Sequence, residues 1–185
     1  LDTTSHDFTW TVETLGDYGS YLNDVAIVDE NNIWVVGYIT LGDSIYNAAH
    51  WDGNEWEMTQ ILRPVDFEGI FALSDDDIWF VDGCKIFHND GRQFTEMWMC
   101  DWERYGINQA TSIWASSPED VWFVGDKGSI VHYDGSGFSR IESGTEVNLE
   151  DISGTPTGEY VFISGWNLAG NTDSPFLQIH NGNVE

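Results

Sequence analysis

Short apolar runs alternate with acidic turns along the chain, and the same order of runs and turns occurs four times. The clearest copy reads Ile113-Trp-Ala-Ser-Ser-Pro-Glu-Asp-Val121-Trp122-Phe-Val-Gly125. No segment shows a sustained 3.6-residue apolar period with helix caps. The pattern therefore predicts short β-strands and a helix content near zero.

Two sequence features mark each copy of the repeat. The first is the aromatic residue of the second apolar run, which recurs after 45, 43 and 40 residues at Trp34, Trp79, Trp122 and Phe162. The second is a His followed by an Asp-Gly or Asn-Gly pair, at His50, His88, His132 and His180. Such pairs between alternating segments are strong hairpin signals because these residues accept a positive φ. Each copy thus predicts four strands, and four-stranded units of ~40–45 residues are blades of a β-propeller.

The predicted fold class is therefore all-β, a propeller region over residues 1–185 built of four-stranded antiparallel blades. The visible repeats cover about 22–63, 67–105, 110–145 and 149–185. The fourth copy stops directly after its turn, whereas residues 7–15 alternate like an outer strand. That segment either closes a four-bladed ring or is an outer strand of a larger one. Because the chain starts at Leu1 and stops within a repeat, we expect a partial chain from a larger ring.

Charge and composition exclude several classes of function. The chain has 32 Asp and Glu against 6 Lys and Arg, a formal net charge of −26. Nucleic acid is excluded as a partner because phosphate neutralisation needs clustered cations. A content of 41% hydrophobic and 15% aromatic residues predicts a folded domain despite the charge. Apolar runs such as Ile33 to Ile39 are far shorter than the roughly 20 residues of a membrane helix, so no membrane insertion is expected.

The motifs also carry a family resemblance. The pattern Asp-Asp-Ile/Val-Trp-Phe-Val-Gly followed by His-Tyr/Trp-Asp-Gly resembles the propeller repeats of secreted bacterial proteins related to neuraminidase-repeat and photosystem-assembly-factor propellers. The opening segments Leu1 to Trp10 and Tyr21 to Val28 resemble uncharacterised surface proteins of the Ignavibacteria and Bacteroidetes type. The resemblance covers nearly the whole chain and implies a propeller that is extracellular or at the cell surface.

Sialidase activity is not implied by this resemblance. Sialidases of the wider group carry Ser-x-Asp-x-Gly-x-x-Trp boxes and three arginines that bind substrate, and no segment here matches the box. The arginines are scattered over predicted outer strands and connections, at Arg63, Arg92, Arg104 and Arg140. No zinc-protease, nucleophile-elbow or phosphate-loop motif occurs either. We therefore predict a protein that is not an enzyme, with no catalytic residue.

From the sequence, the repeat histidines and the acidic pairs are interpreted as structural residues rather than as metal ligands or catalytic groups. The four repeat histidines occupy one equivalent position in four blades, so the fold would hold them apart, and each is interpreted as bonding to its own turn. The acidic pairs Asp75/Asp77 and Glu119/Asp120 lie in turns, where Asp and Ser stabilise the backbone locally. Trp34, Trp79 and Trp122 are predicted to pack between blades. No metal site is predicted; calcium is the one alternative, given the abundant carboxylates, although no EF-hand loop occurs.

Candidate binding residues lie where the repeat is interrupted. In a propeller, the connections into the inner strand and between the second and third strands emerge on one face. Three irregular segments fall there: Tyr38 to Tyr46, Trp98 to Tyr105 and Trp166 to Asp173. Loops on a rigid scaffold concentrate binding residues, and aromatic rings beside amides suit a sugar or a peptide. The candidate ligand-binding residues are Tyr46, Trp98, Trp102, Tyr105 and Trp166; the alternative is that these rings hold down their own loops.

The two cysteines give information on the cellular compartment of the protein. Cys84 and Cys100 flank the hairpin turn Asn89-Asp90-Gly91, and counting outward from that turn places them on facing strands. A cross-strand disulfide is the favoured interpretation and fits an oxidising, extracellular setting; two buried thiols are the alternative.

The leading functional hypothesis is a non-enzymatic extracellular binding or structural module. Its partner would be a glycan, a peptide or a protein surface, including self-association with a neighbouring subunit. Two alternatives stay open at this point. One is a glycan-active hydrolase or lyase, which needs converging acids with shifted pKa values in a central pocket. The other is a structural subunit of a surface assembly or filament.

Overall fold

The computed structural model describes residues 11–61, 66–98, 109–166, 175–180 and 183–184, with only the backbone of Trp98 and Asn183. These residues form four antiparallel four-stranded sheets, each a meander in chain order, which we call blades 1 to 4. Blade 1 contains β1 (Tyr21–Asp29), β2 (Asn32–Leu41), β3 (Ser44–Trp51) and β4 (Trp56–Thr59). Blade 2 contains β5 (Gly69–Ser74), β6 (Asp77–Asp82), β7 (Lys85–Asn89) and β8 (Phe94–Trp98). Blade 3 contains β9 (Ala110–Ser117), β10 (Asp120–Gly125), β11 (Ser129–Tyr133) and β12 (Phe138–Glu142). Blade 4 contains β13 (Asn148–Gly154), β14 (Tyr160–Trp166), β15 (Phe176–His180) and β16 (Asn183–Val184).

The Asp-Gly turns between the third and fourth strands form as the sequence predicts. In blade 3, the Asp134 carboxylate accepts hydrogen bonds from the Ser136 hydroxyl and from the backbone N–H groups of Ser136 and Gly137, and Gly135 has a φ of +84°. The turns at Asp52 and Asp90 repeat this arrangement. These hydrogen bonds favour the ionised carboxylate, so the pKa of each of the three aspartates lies below its ordinary value.

The hydrophobic core lies between adjacent blades, and the repeat tryptophans are part of it. Trp79 of blade 2 is fully buried and packs against Phe123 and Tyr133 of blade 3, at ring-centroid distances of 5.9 and 5.3 Å. Trp122 of blade 3 belongs to the core cluster shared with blade 4, and Trp34 packs on the cluster shared with blade 2. Each of these tryptophans therefore bridges its blade to the next one.

The inner strands β1, β5, β9 and β13 lie side by side in chain order, and polar side chains tie them together. The Asn23 side chain donates to the Phe67 carbonyl at 2.8 Å, and the Ile70 N–H donates to the Asp24 carboxylate at 2.9 Å. Between blades 3 and 4, the Thr111 hydroxyl donates to the Leu149 carbonyl at 2.7 Å. These bonds satisfy polar groups where the blades converge, and they fix the inner strands relative to one another.

Blade 1 corrects one prediction, because Tyr38 to Tyr46 is not an irregular loop. β2 runs to Leu41 and β3 starts at Ser44, so a tight turn at Gly42, with a φ of +59°, joins two regular strands. The alternating side chains pair across this hairpin, with Ile39 opposite Tyr46. The segment was mistaken for an insertion because its hairpin is longer than that of the other blades.

At the two ends of the described chain, Thr11–Leu15 forms no strand, and β16 supplies a short fourth strand to blade 4. The Trp56 indole N–H donates to the Glu13 carboxylate at 2.7 Å, which ties the first segment to the outer strand of blade 1. The described residues contain a single 3-10 turn, Asp126–Gly128, and include no helix long and apolar enough to cross a bilayer.

Candidate functional site

A carboxylate, a tryptophan and a histidine form one repeated cluster in the middle blades. In blade 3, Asp120 accepts the Trp122 indole N–H and His132 Nε2, both at 2.7 Å. The imidazole also stacks on the indole, with centroids 4.2 Å apart. Asp77, Trp79 and His88 repeat this cluster in blade 2. Because a carboxylate only accepts hydrogen bonds, Nε2 of each histidine carries the hydrogen.

This arrangement corrects the sequence interpretation of these residues. Asp77 and Asp120 do not act on the backbone of their own turn; they hold side chains of the second and third strands. His50, His88 and His132 likewise bond to the second strand rather than to the turn that follows them. Blade 1 uses Asn32 in the carboxylate position, at 2.9 Å from His50 Nε2. In blades 2 and 3, the indole and imidazole N–H groups both donate to the carboxylate of their own blade, so we assign these two clusters to structure.

An open pocket of about 480 Å³ lies where the four inner strands begin, and we call it the axial pocket. Every blade contributes to its lining, which consists of Tyr21, Asn23, Asp66, Glu68, Thr111 and Glu150. Four of these residues occupy one equivalent position of the inner strand: Asn23, Glu68, Thr111 and Glu150. Each lies two residues before an apolar residue that holds the same place in the pairing with the second strand, at Val25, Ile70, Ile113 and Ile152. The pocket is therefore a product of the repeat, and it is lined by oxygen-bearing and acidic side chains.

Acidic side chains line this pocket, and the pKa of one of them, Glu68, is raised. Burial raises the pKa of Glu68, the hydrogen bond from Gln109 Nε2 at 2.6 Å opposes this, and Asp82, Asp126 and Asp66 raise it further. The Tyr21 hydroxyl donates to the Asp66 carboxylate at 2.5 Å, and this bond raises the tyrosine pKa. The pocket thus carries concentrated negative charge that favours a cationic group.

Of the aromatic candidates, Trp166 lies beside the axial pocket. It is about half exposed at the end of β14, and its indole N–H donates to the Glu150 carboxylate at 2.7 Å. Tyr46 was wrongly placed on a loop; it packs on the core cluster of Val35, Ile39 and Ala49 in blade 1.

The other candidate residues named from the sequence are at the end of β8 and in the residues that follow it, apart from Cys84. Trp102, Tyr105 and Cys100 lie outside the described residues, and Trp98 is described only by its backbone at the end of β8. Cys84 is disulfide-bonded. The pairing of Cys84 with Cys100 stays a prediction.

Among the described residues, no group of three or more His, Cys, Asp or Glu side chains is arranged to hold a metal ion. In the axial pocket, the Glu68 carboxylate accepts a hydrogen bond from Gln109, and the Asp66 carboxylate accepts one from Tyr21.

Comparison with known proteins shows the fold. No protein-family model matches the chain, and no curated protein matches it in sequence. A structure of YCF48 bound to a D1 peptide is similar over 88% of this chain and 55% of its own, with a TM-score of 0.59 and 15% identity. The extracellular domain of BT4673 from B. thetaiotaomicron is similar over 94% of this chain and 23% of its own, with a TM-score of 0.62 and 16% identity. The fold is a β-propeller. A chain of the nidogen–laminin complex is similar over 84% of this propeller chain and 57% of its own, with a TM-score of 0.55 and 13% identity. The chain thus spans about half the length of two of these structures and about a quarter of the third.

The raised carboxyl pKa values predict an unusual dependence of stability on pH. Burial also raises the pKa of Asp24, against the hydrogen bonds from Ile70 and Val25. A carboxyl whose pKa is higher in the folded chain binds its proton more tightly there, so ionisation costs stability as pH rises through the folded pKa. We expect the Tm to rise when pH is lowered from about 7 to about 5, as these two carboxyls take up protons in the folded chain. Below that range stability falls, because Asp52, Asp90 and Asp134 with their lowered pKa values must protonate.

Glu68→Gln tests this prediction by thermal unfolding at the two pH values. The amide keeps an acceptor for Gln109 and removes the charge, so we expect a smaller rise in Tm than in the wild type. Glu119→Gln, at an exposed turn, is the matched control and should retain the wild-type difference. An unchanged pH dependence in Glu68→Gln would contradict the role assigned to this carboxyl.

Proposed function

We propose that this propeller is a non-enzymatic, extracellular binding module whose axial pocket takes a basic segment of a peptide or protein. The observation that carries the proposal is that three carboxylates, those of Asp66, Glu68 and Glu150, line one pocket to which all four blades contribute. A cationic side chain entering it gains charge-assisted hydrogen bonds to these carboxylates. The half-exposed Trp166 beside the pocket offers a flat ring for the stem of a long side chain.

Two further observations support this proposal. The inner strands are held by hydrogen bonds between blades, so the pocket is preformed and loses little entropy when a ligand binds. The similar structure of YCF48 contains a bound D1 peptide, and a second similar chain belongs to the nidogen–laminin complex. The extracellular location is supported by the disulfide at Cys84 and by the likeness to an extracellular domain.

Binding of a labelled peptide with alternating Lys and Ser residues tests the proposal by fluorescence anisotropy. We expect Asp66→Asn and Glu68→Gln each to weaken binding about tenfold, the equivalent of one lost charge-assisted contact. The Kd should rise with salt, since the partly exposed charges are screened. Glu119→Gln, which removes one charge far from the pocket, should change the Kd less than about twofold.

The same proteins give outcomes that contradict the proposal. A peptide with Glu in place of Lys should not bind; equal binding of both peptides would remove charge as the basis of recognition. Binding that survives both pocket substitutions would place the ligand elsewhere. Hydrolysis of chromogenic glycosides that disappears in Glu68→Gln would instead support the glycan-hydrolase alternative, since Glu68 is an acid with a raised pKa in a central pocket.

A further inference from the structure

Two of the positively charged side chains of this acidic protein line the same cleft. The described part of the chain contains four lysine and arginine residues, and two of them, Lys127 and Arg140, line an open cleft of about 800 Å³ on blade 3. The 3-10 turn that contains Lys127, the outer strand β12 and the connection that follows β12 form its walls. Every lining residue belongs to blade 3 or to its connection to blade 4, so the cleft lies wholly within the described segment 109–166.

The backbone around Lys127 holds this residue in an unfavourable conformation. Among the described residues, Lys127 is the one residue other than glycine with a φ in the left-handed region, at +55°. Its N–H donates to the Asn148 side chain at 3.1 Å, and the Gly128 N–H donates to the Val147 carbonyl at 2.7 Å. This region disfavours a lysine, whereas glycine or asparagine adopts it readily. Backbone geometry therefore does not account for a lysine here, which points to a role for its ammonium group.

Arg140 is the second cation of the cleft, and a neighbouring carboxylate shares it. Glu142 and Glu146 also line the cleft, and the Glu142 carboxylate lies 3.3 Å from Arg140 Nε. The side chains of this pair are exposed, by 41% for the arginine and 80% for the glutamate. Exposed ion pairs are weak, because water and salt compete for both charges. A guanidinium also has several N–H donors, so Arg140 can bind the carboxylate of a ligand beside Glu142 or in its place.

The cleft adjoins the axial pocket. Backbone N–H groups of the turn Asp126–Gly128 donate to the Gln109 carbonyl at 3.0 Å and to the Asn148 side chain at 3.1 Å. Gln109 and Asn148 lie two residues before Thr111 and Glu150, which line the axial pocket. Two residues of a strand span about 7 Å, so the turn and the pocket are on the order of 10 Å apart. An extended peptide covers this distance in about three residues.

We infer that the cleft binds an acidic side chain of the same peptide whose basic side chain enters the axial pocket. The inference rests on the proposed function and specifies its partner, an extended segment with a Lys or Arg and an Asp or Glu about two to four residues apart. Lys127 and Arg140 donate charge-assisted hydrogen bonds to the acidic side chain, and the carboxylates of the axial pocket accept them from the basic one. Two adjoining sites of different charge select such a segment over a uniformly basic one, which the net charge of −26 alone would favour.

Two labelled peptides test this inference by fluorescence anisotropy. Each is the peptide of alternating Lys and Ser with one central Lys replaced, by Glu in the first and by Gln in the second, so a Lys lies close to the replaced residue in both chain directions. The long-range attraction of so acidic a protein predicts weaker binding of the Glu peptide, which has the lower positive charge. The cleft predicts the opposite order, and we expect the Glu peptide to bind about threefold to fivefold more tightly.

Variants that each remove one positive charge assign this preference to the cleft. Lys127→Gln and Arg140→Gln should each bring the ratio of the two Kd values to about one, because the acidic side chain loses a donor. Arg92→Gln changes an exposed residue at the Asp90 turn of blade 2 and is the matched control, which should keep the wild-type ratio. Lys127→Gly also relieves the positive φ, so it should lose the preference without a lower Tm, which excludes unfolding as the cause.

The outcomes separate this inference from the proposed function. Equal binding of the two peptides, or tighter binding of the Gln peptide, would overturn the inference; if Asp66→Asn still weakened both, the axial pocket would remain the peptide site. A preference for the Glu peptide that survives both Lys127→Gln and Arg140→Gln would place the acidic side chain elsewhere and would also overturn it. No binding of either peptide, or of the parent peptide of Lys and Ser, would contradict both proposals.

Discussion

Replacing Gly125 by Ala is expected to destabilise the propeller by about 3 kcal/mol or more. An added Cβ would lie 1.7 Å from the backbone carbonyl oxygen of Gln109 and 3.0 Å from the Ala110 Cα. Backbone atoms cannot rotate away as a side chain can, so β9 and β10 would have to separate at the point where blade 3 meets the axial pocket. The loss corresponds to a fall in Tm of roughly 6–12 °C for a chain of this size.

The matched control is Gly137→Ala in the same blade. A Cβ at Gly137 meets no atom within 4 Å, and its φ is not in the left-handed region. We expect a change within about 0.5 kcal/mol by thermal or urea unfolding. Equal losses for both glycines would show that flexibility, rather than steric contact, accounts for the effect.

Removal of the Asp120 carboxylate should cost about 2–3 kcal/mol. Asp120→Ala leaves the Trp122 indole N–H and the His132 imidazole N–H, both partly buried, without their acceptor. The Ser116 hydroxyl loses its bond to the same carboxylate. Because Trp122 belongs to the core shared with blade 4, we expect near-UV circular dichroism to report a loosened indole as well as a lower Tm.

Two variants sharpen this test. Glu119→Ala removes the neighbouring, exposed carboxylate and should change stability by less than about 0.5 kcal/mol. Asp120→Asn keeps one acceptor oxygen and should lie between the wild type and Asp120→Ala. A full effect in Glu119→Ala would attribute the loss to overall charge rather than to the cluster of Asp120, Trp122 and His132.

The candidate site was only partly predictable from the sequence. Trp166 was selected as an aromatic residue where the repeat is interrupted, and it does lie beside the axial pocket. Asp66 and Glu68 were not selected, since a carboxylate before a strand looks like many other surface acids in so acidic a chain. For Glu68, the signal that could have found it is its position two residues before Ile70, which is equivalent to the positions before Val25, Ile113 and Ile152 in the other repeats.

The sequence by itself determined the blades of this protein. Local rules suffice there: the Asp-Gly pairs bend each hairpin because glycine accepts a positive φ, and the alternating runs separate a buried face from an exposed one. The tryptophans at fixed spacing also located the contacts between blades. Only the tertiary structure decided which residues form the axial pocket and where Tyr46 lies. Glu68 and Glu150 share a pocket because stacked blades bring inner strands side by side, and Tyr46 lies in the core because its strands extend past the usual turn. Such contacts join residues from different repeats, and no local pattern specifies which carboxylates then lose solvent and which stay hydrated.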